Sequence, residues 1–91
     1  MSEGSNEEMR EMRVQNRLRE LVAEEVRALL GRRQMSGAKL ATAIDRSEMY
    51  VSRRLRGETA FDLDDLERIA GVLGVQVADL LPKREGADTL T

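Results

Sequence analysis

The sequence predicts an all-α protein of five helices behind an N-terminal helical extension, and three observations carry that prediction. Aromatic residues make up 2% of the chain and no β-branched or aromatic run exceeds a pair, so the usual marks of a strand are missing. Apolar residues recur three and four apart, the spacing that lines one face of a helix. Helix-start residues repeat along the chain, each followed by an apolar stripe, and most of the stripes end near a glycine or proline. Ninety-one residues, 41% of them hydrophobic, suffice for one small domain with a thin aliphatic core.

"SNEE" at 5–8 has the form of a capping box. Met9, Met12, Leu18, Leu21, Val22, Val26, Leu29 and Leu30 follow, with no intervening glycine or proline. Two readings stay open here: one long helix to Arg33, or a loose N-terminal arm, weakly helical over 6–16, with Asn16 capping a second helix. The stripe is densest after Leu18, which makes 18–33 the core helix and 1–16 an extension. Ser36 caps a helix over 37–44, with Met35 stapled onto Leu40 and with Leu40, Ala41 and Ile44 facing the core. Ser47 caps a helix over 48–56 in which Val51 and Leu55 point inward, and Gly57 stops it. Asp62 caps the next helix, Asp64 and Asp65 sit in its positively polarised first turn, and Phe61 staples onto Leu66. Leu66, Ile69, Ala70 and Leu73 form its stripe before Gly74, and Gly71 inside it costs about 1 kcal/mol relative to alanine. "VADLL" reads as a last short helix ending at Pro82, and 83–91 has the composition of a disordered tail.

The chain has no cysteine and no histidine, which removes disulfides, thiol nucleophiles, imidazole bases and the usual zinc ligands together. Asp64 and Asp65 are adjacent carboxylates, but helix capping explains them and no glycine-rich phosphate loop accompanies them, so neither an enzyme nor a cofactor is expected. No basic stretch precedes an apolar N-terminal run and no segment approaches 18 apolar residues; a cytoplasmic protein without signal peptide or membrane span is expected. The net charge of −2 hides an asymmetry. Residues 17–57 hold ten basic and five acidic groups, a net of +5, against −2 over 1–16 and −5 over 58–91. Such a division fits one face made for a polyanion, and on charge alone it fits a solvated arginine-rich surface equally well.

Two short helices joined by a tight turn and followed by arginines are the raw form of a helix-turn-helix. "MSGAKLATAIDRSEMYVSRRLRGE" with "LDDLERIAGVLGVQVADLL" behind it resembles the XRE-type helix-turn-helix family of Cro proteins and phage immunity repressors. The resemblance covers residues from about 21 to 82, within a domain read as 17–82. Its specific parts are Leu40-Ala41, Ser47, the Val51-Ser52-Arg53 and Arg56-Gly57 pair of runs, and "LGVQVADLL". It implies a five-helix DNA-binding domain whose third helix, 48–56, lies in the major groove, which admits one α-helix and displays each base pair distinctly.

The resemblance puts Glu48, Met49, Ser52 and Arg53 on base edges. With Val51 and Leu55 inward, those positions and Arg56 fall outward at helical spacing. Arg53 suits guanine, Glu48 a cytosine amino group and Met49 a thymine methyl. Lys39, Arg46, Arg54 and Arg56, with Ser47, Tyr50 and the amide of Gly37, are the expected contacts to the DNA backbone. Plainer roles stand beside these: solvated arginines, Met49 as a core filler, Tyr50 as a helix-packing residue, Glu48 as a helix-terminus anion. Three departures from the family pattern stand out. Gly37 replaces a glutamine common at the head of the second helix, Asp45-Arg46 replaces glycine and an aliphatic residue in the turn, and the extension 1–16 has no counterpart.

The expected function is that of a sequence-specific regulator binding a double-stranded DNA operator, of phage repressor type and acting by occupancy. A homodimer reading two half-sites is a further expectation. The alternative is an antitoxin- or antirepressor-like module that grips a protein partner through residues 6–16, where Met9 and Met12 offer an adaptable stripe.

Overall fold

The computed structural model describes the backbone of residues 2–82 and the side chains of residues 17–82. Helix α1 runs over Ser2–Arg33, α2 over Gly37–Ala43, α3 over Glu48–Leu55 and α4 over Leu63–Leu73, and a 3₁₀ turn covers Val77–Leu80. The two readings of the N-terminal half resolve into one: α1 is continuous through Asn16 and is already helical at Ser2, so Ser5 is not its cap. The side chains of Met9 and Met12, and the tail 83–91, lie outside the described residues.

The predicted caps form. Ser36 Oγ accepts from the Lys39 amide at 3.0 Å and Ser47 Oγ from the Tyr50 amide at 3.1 Å, each satisfying an amide that a helix start leaves without a partner. Asp62 and Asp65 close a reciprocal capping box, Asp65 N–H to Asp62 Oδ1 at 2.7 Å and Asp62 N–H to Asp65 Oδ2 at 3.3 Å. The helix-turn-helix bend places Asp45 at φ 61, a conformation that aspartate tolerates better than most residues. Gly57 ends the α3 region at φ 79. A Cβ there would stand 3.3 Å from Glu20 Cγ on α1, so both conformation and space select glycine. No pattern in the sequence marks Gln34, which sits at φ 55; that left-handed residue stops α1, and the next amide, Met35 N–H, bonds back to Leu30 O at 2.9 Å.

Five helices become four among the described residues. The expected fifth is the 3₁₀ turn, closed by bonds such as Asp79 N–H to Gln76 O at 2.9 Å and Leu81 N–H to Ala78 O at 3.2 Å. Pro82 accounts for this: the residue before a proline is pushed to extended backbone, Leu81 sits at φ −97, ψ 149, and only one tight turn fits between Gln76 and Leu81.

The core joins Val22, Val26, Leu29 and Leu30 of α1, Leu40, Ala41 and Ile44 around α2, Val51 of α3, Phe61, the α4 stripe and Leu80. Leu18 is 48% exposed, so the buried stripe of α1 starts at Val22 rather than at Leu18. Leu55 is only half-buried; its Cδ1 lies 3.1 Å from where a Cβ on Gly37 would stand. This leaves Val51 as the residue that anchors α3 in the core. Gly71 lies mid-α4 with open space around its missing side chain. Gly71→Ala should therefore raise stability by about 0.5–1 kcal/mol, read as a higher urea midpoint with an unchanged slope.

Candidate nucleic-acid interface

Burying Val51 fixes the rotation of α3 about its axis and decides what faces outward. Glu48, Met49, Arg53 and Arg56 are exposed and Ser52 is half-buried, and these five side chains line one shallow groove. Met49 is 63% exposed, which removes the core-filler role. Arg53 enters no ion pair formed among the described residues and stands clear on this face. Arg56 is engaged: Nε and Nη2 reach Glu58 at 2.8 and 3.4 Å, and Nη1 donates to Ser52 Oγ at 2.6 Å. Both members of the Arg56–Glu58 pair are more than half exposed, and exposed pairs exchange readily for another anion. The hydrogen bond to Arg56 keeps the Glu58 carboxyl below its ordinary range. Gly37 and Ala38 border a second groove with Glu48, Ser52 and Leu55, so the head of α2 adjoins the outward face of α3.

The residue that sequence reasoning misses is Asp65. Its pattern announces only a carboxylate in a helix first turn, yet it is fully buried. Oδ1 accepts from Arg46 Nε at 3.2 Å, Oδ2 from the Tyr50 hydroxyl at 2.5 Å, and Arg54 Nε stands 4.0 Å from Oδ2. The guanidinium carbons of Arg54 and Arg46 lie 3.5 and 5.2 Å from the centre of the Tyr50 ring, within cation–π range. Arg54 also donates to its own helix at Tyr50 O, 3.1 Å. Three of the expected backbone contacts thus have partners within the protein. Tyr50 is a packing residue whose hydroxyl is already engaged, Arg54 is largely covered with its side chain 17% exposed, and Arg46, 31% exposed, is tethered through Nε. Burial works against ionisation of Asp65, but the bonds from Tyr50, the Asp62 amide and Arg46 outweigh it and hold the carboxyl below its usual range. The same bond to Asp65, helped by burial, pushes the Tyr50 phenol upward.

A second population of arginines is structural as well. Arg33 donates twice to Leu73 O, at 3.2 and 2.8 Å, where α4 ends. Arg27 donates to Leu55 O at the end of α3, Arg68 to Ile44 O at 3.2 Å where α2 ends, and Arg19 to Glu58 O at 3.0 Å. Helix ends leave carbonyls without internal partners, and these cations fill the vacancies from distant elements. The positive segment thus divides into cations used by the fold and cations that face solvent, with Lys39 and Arg53 among the latter.

A carboxyl held below its unfolded pKa stabilises the fold in full above about pH 4, and that contribution is lost as pH falls through the folded value. The urea midpoint of the parent chain should drop on going from neutral to strongly acid buffer, and Asp65→Asn should show a smaller drop from a lower starting point. Parallel pH profiles for the two chains would contradict this.

Residues 25–82 match the Cro/C1-type HTH DNA-binding domain family. The chain is 40% identical over 67 residues to Control protein C.BamHI of Bacillus amyloliquefaciens, spanning 72% of this chain and 83% of that protein. Among solved structures it superposes on the hypothetical transcription factor NHTF from Neisseria with a TM-score of 0.69 and 27% identity, over 81% of this chain and 85% of that one. It also resembles part of hydroxypropylphosphonic acid epoxidase from S. wedmorenis, with a TM-score of 0.65 and 29% identity over 71% of this chain but only 35% of the enzyme. A family match over most of the chain, carried by two capped helices, a left-handed turn and an exposed cationic face, makes this chain a member of the Cro/C1-type helix-turn-helix family and a DNA-binding transcriptional regulator.

Proposed function

We propose that the chain is a sequence-specific repressor that occupies a double-stranded DNA operator with α3 in the major groove. One observation carries this reading: Val51 is completely buried, so that Glu48, Met49, Ser52 and Arg53 share the outward groove of a helix of the size the major groove admits. Arg53 is the base-reading cation, Glu48 and Met49 suit cytosine and thymine edges, and the Ser52 hydroxyl can donate to or accept from a base edge. Lys39, Arg56, Ser47 and the Gly37 amide are the contacts to phosphate, with Arg56 exchanging Glu58 for the DNA backbone. Occupancy suits a protein whose family acts by binding DNA. No helix among the described residues is long and apolar enough to cross a membrane.

The reading predicts a loss confined to one base position. Arg53→Ala should weaken binding to a duplex selected by the parent chain by about 1–3 kcal/mol and relax preference at a single position. Equal losses on selected and random duplexes, measured by gel retardation, would remove the base-reading role.

A homodimer is the second part of the proposal, and an apolar groove away from α3 supports it. Leu18, Val22, Phe61, Leu63 and Leu81 line it, and Leu63 is 75% exposed, Leu18 48% and Leu81 40%. Arg19 borders the groove and exposed Asp64 lies beside Leu63, so a two-fold copy offers apolar cover with charges of both signs at its edge. Leu63→Asp should convert a sedimenting dimer to monomer while leaving the circular dichroism of the domain intact. A parent chain that sediments as a monomer at every concentration would end this part.

A further inference from the structure

The reading helix packs chiefly on α1 and α2, and its polar link to α4 runs through one carboxylate. Asp65 gathers Arg46 from the turn, Tyr50 from the first turn of α3 and the Asp62 amide from its own cap, with Arg54 Nε beside them. Arg46 is thus hydrogen-bonded to an anion that solvent does not reach, and Arg54 is ion-paired with the same anion at 4.0 Å, its Nε buried without a hydrogen bond. Contrast Arg56 and Glu58, whose pairing is exposed at both ends. Arg56 can leave Glu58 for a phosphate at little loss, because Glu58 returns to water. Neither Arg46 nor Arg54 can leave in that way, because a buried carboxylate would lose its compensation.

We propose that Asp65 is a specificity-determining positioning residue: it retains Arg46 and Arg54 as its own counter-ions, out of indiscriminate phosphate contact, while fixing α3 against α4. The proposal rests on α3 being the helix that reads DNA. Phosphate neutralisation supplies sequence-independent affinity and sets the salt dependence of binding, with a slope of about one per phosphate neutralised. A cation already neutralised inside the protein adds little to that count. By keeping two arginines out of it, Asp65 lowers affinity for arbitrary duplex and leaves more of the binding to base contacts, which is how the ratio of specific to non-specific binding rises.

The test uses the full chain with two probes, a short random-sequence duplex and a duplex selected from a randomised pool by the parent chain, each titrated with salt. Asp65→Asn should bind the random duplex about threefold or more tightly, with a salt slope steeper by about one to two, while the preference for the selected duplex falls about tenfold. Equal proportional losses on both duplexes at the parental slope would reduce Asp65 to a structural cap and overturn the proposal. A second variant keeps Asp65 in place and does not depend on how well Asp65→Asn folds. Arg54→Gln should keep random-duplex affinity within about twofold and leave the slope unchanged, whereas Lys39→Gln should lower it by about one. A slope lower by about one for Arg54→Gln would overturn the proposal. A parent chain that retards no duplex at all would overturn the DNA-reading role of α3, and this proposal with it.

Discussion

A carboxylate cut off from water must be surrounded by donors or give up its charge, and that constraint organises one whole side of this domain. Asp65 keeps its charge by drawing a guanidinium from the turn, a phenol from α3 and an amide from the start of α4 onto two oxygens. Because the donors come from three places in the chain, satisfying the acid also settles where those places sit. The capping box of α4 uses the same carboxylate, so one member of the pair that starts the helix also fastens α3 to it. Hydrophobic burial of Val51 and Ile69 brings the elements together. The directional bonds to Asp65 select one arrangement among those that burial would accept.

The arginines follow from the same need to leave few polar groups unpaired. Short helices leave a large share of their carbonyls without internal partners, and α2, α3 and α4 have at most eleven residues each. Arg27, Arg33 and Arg68 close these ends from across the domain, setting full charges on the negative ends of the helix dipoles. A long side chain is the natural device here, since its aliphatic stem can lie along the core while its head reaches a carbonyl. Positive charge within 17–57 therefore serves two masters, and only the cations left outside the fold are free to meet a polyanion.

What can be read in the sequence is local. Ser36, Ser47 and Asp62 announce their helices because a cap acts over three residues, Gly57 and Asp45 mark turns that need a left-handed residue, and period alone identifies Leu40, Val51 and Ile69 as core. The outward face of α3 follows from the same period. The bonds that are not legible join residues far apart: Arg46 and Asp65 are 19 positions apart, Tyr50 and Asp65 15, Arg33 and Leu73 40. A buried aspartate in a helix first turn looks the same in one dimension as an exposed one. Leu18 and Leu55 depart from expectation because periodicity finds a face but not its rim, and the fifth helix shrinks because Pro82 acts on the residue before it.

The close approach at the head of α2 ties two positions of the motif together. A Cβ on residue 37 would stand 3.1 Å from Leu55 Cδ1, the far end of a flexible and only half-buried side chain, which must give by a few tenths of an ångström to admit it. A longer residue at position 37 is accommodated together with a shift of Leu55. The two sites are therefore coupled, and a single residue transplanted from a relative at one of them draws a response from the other.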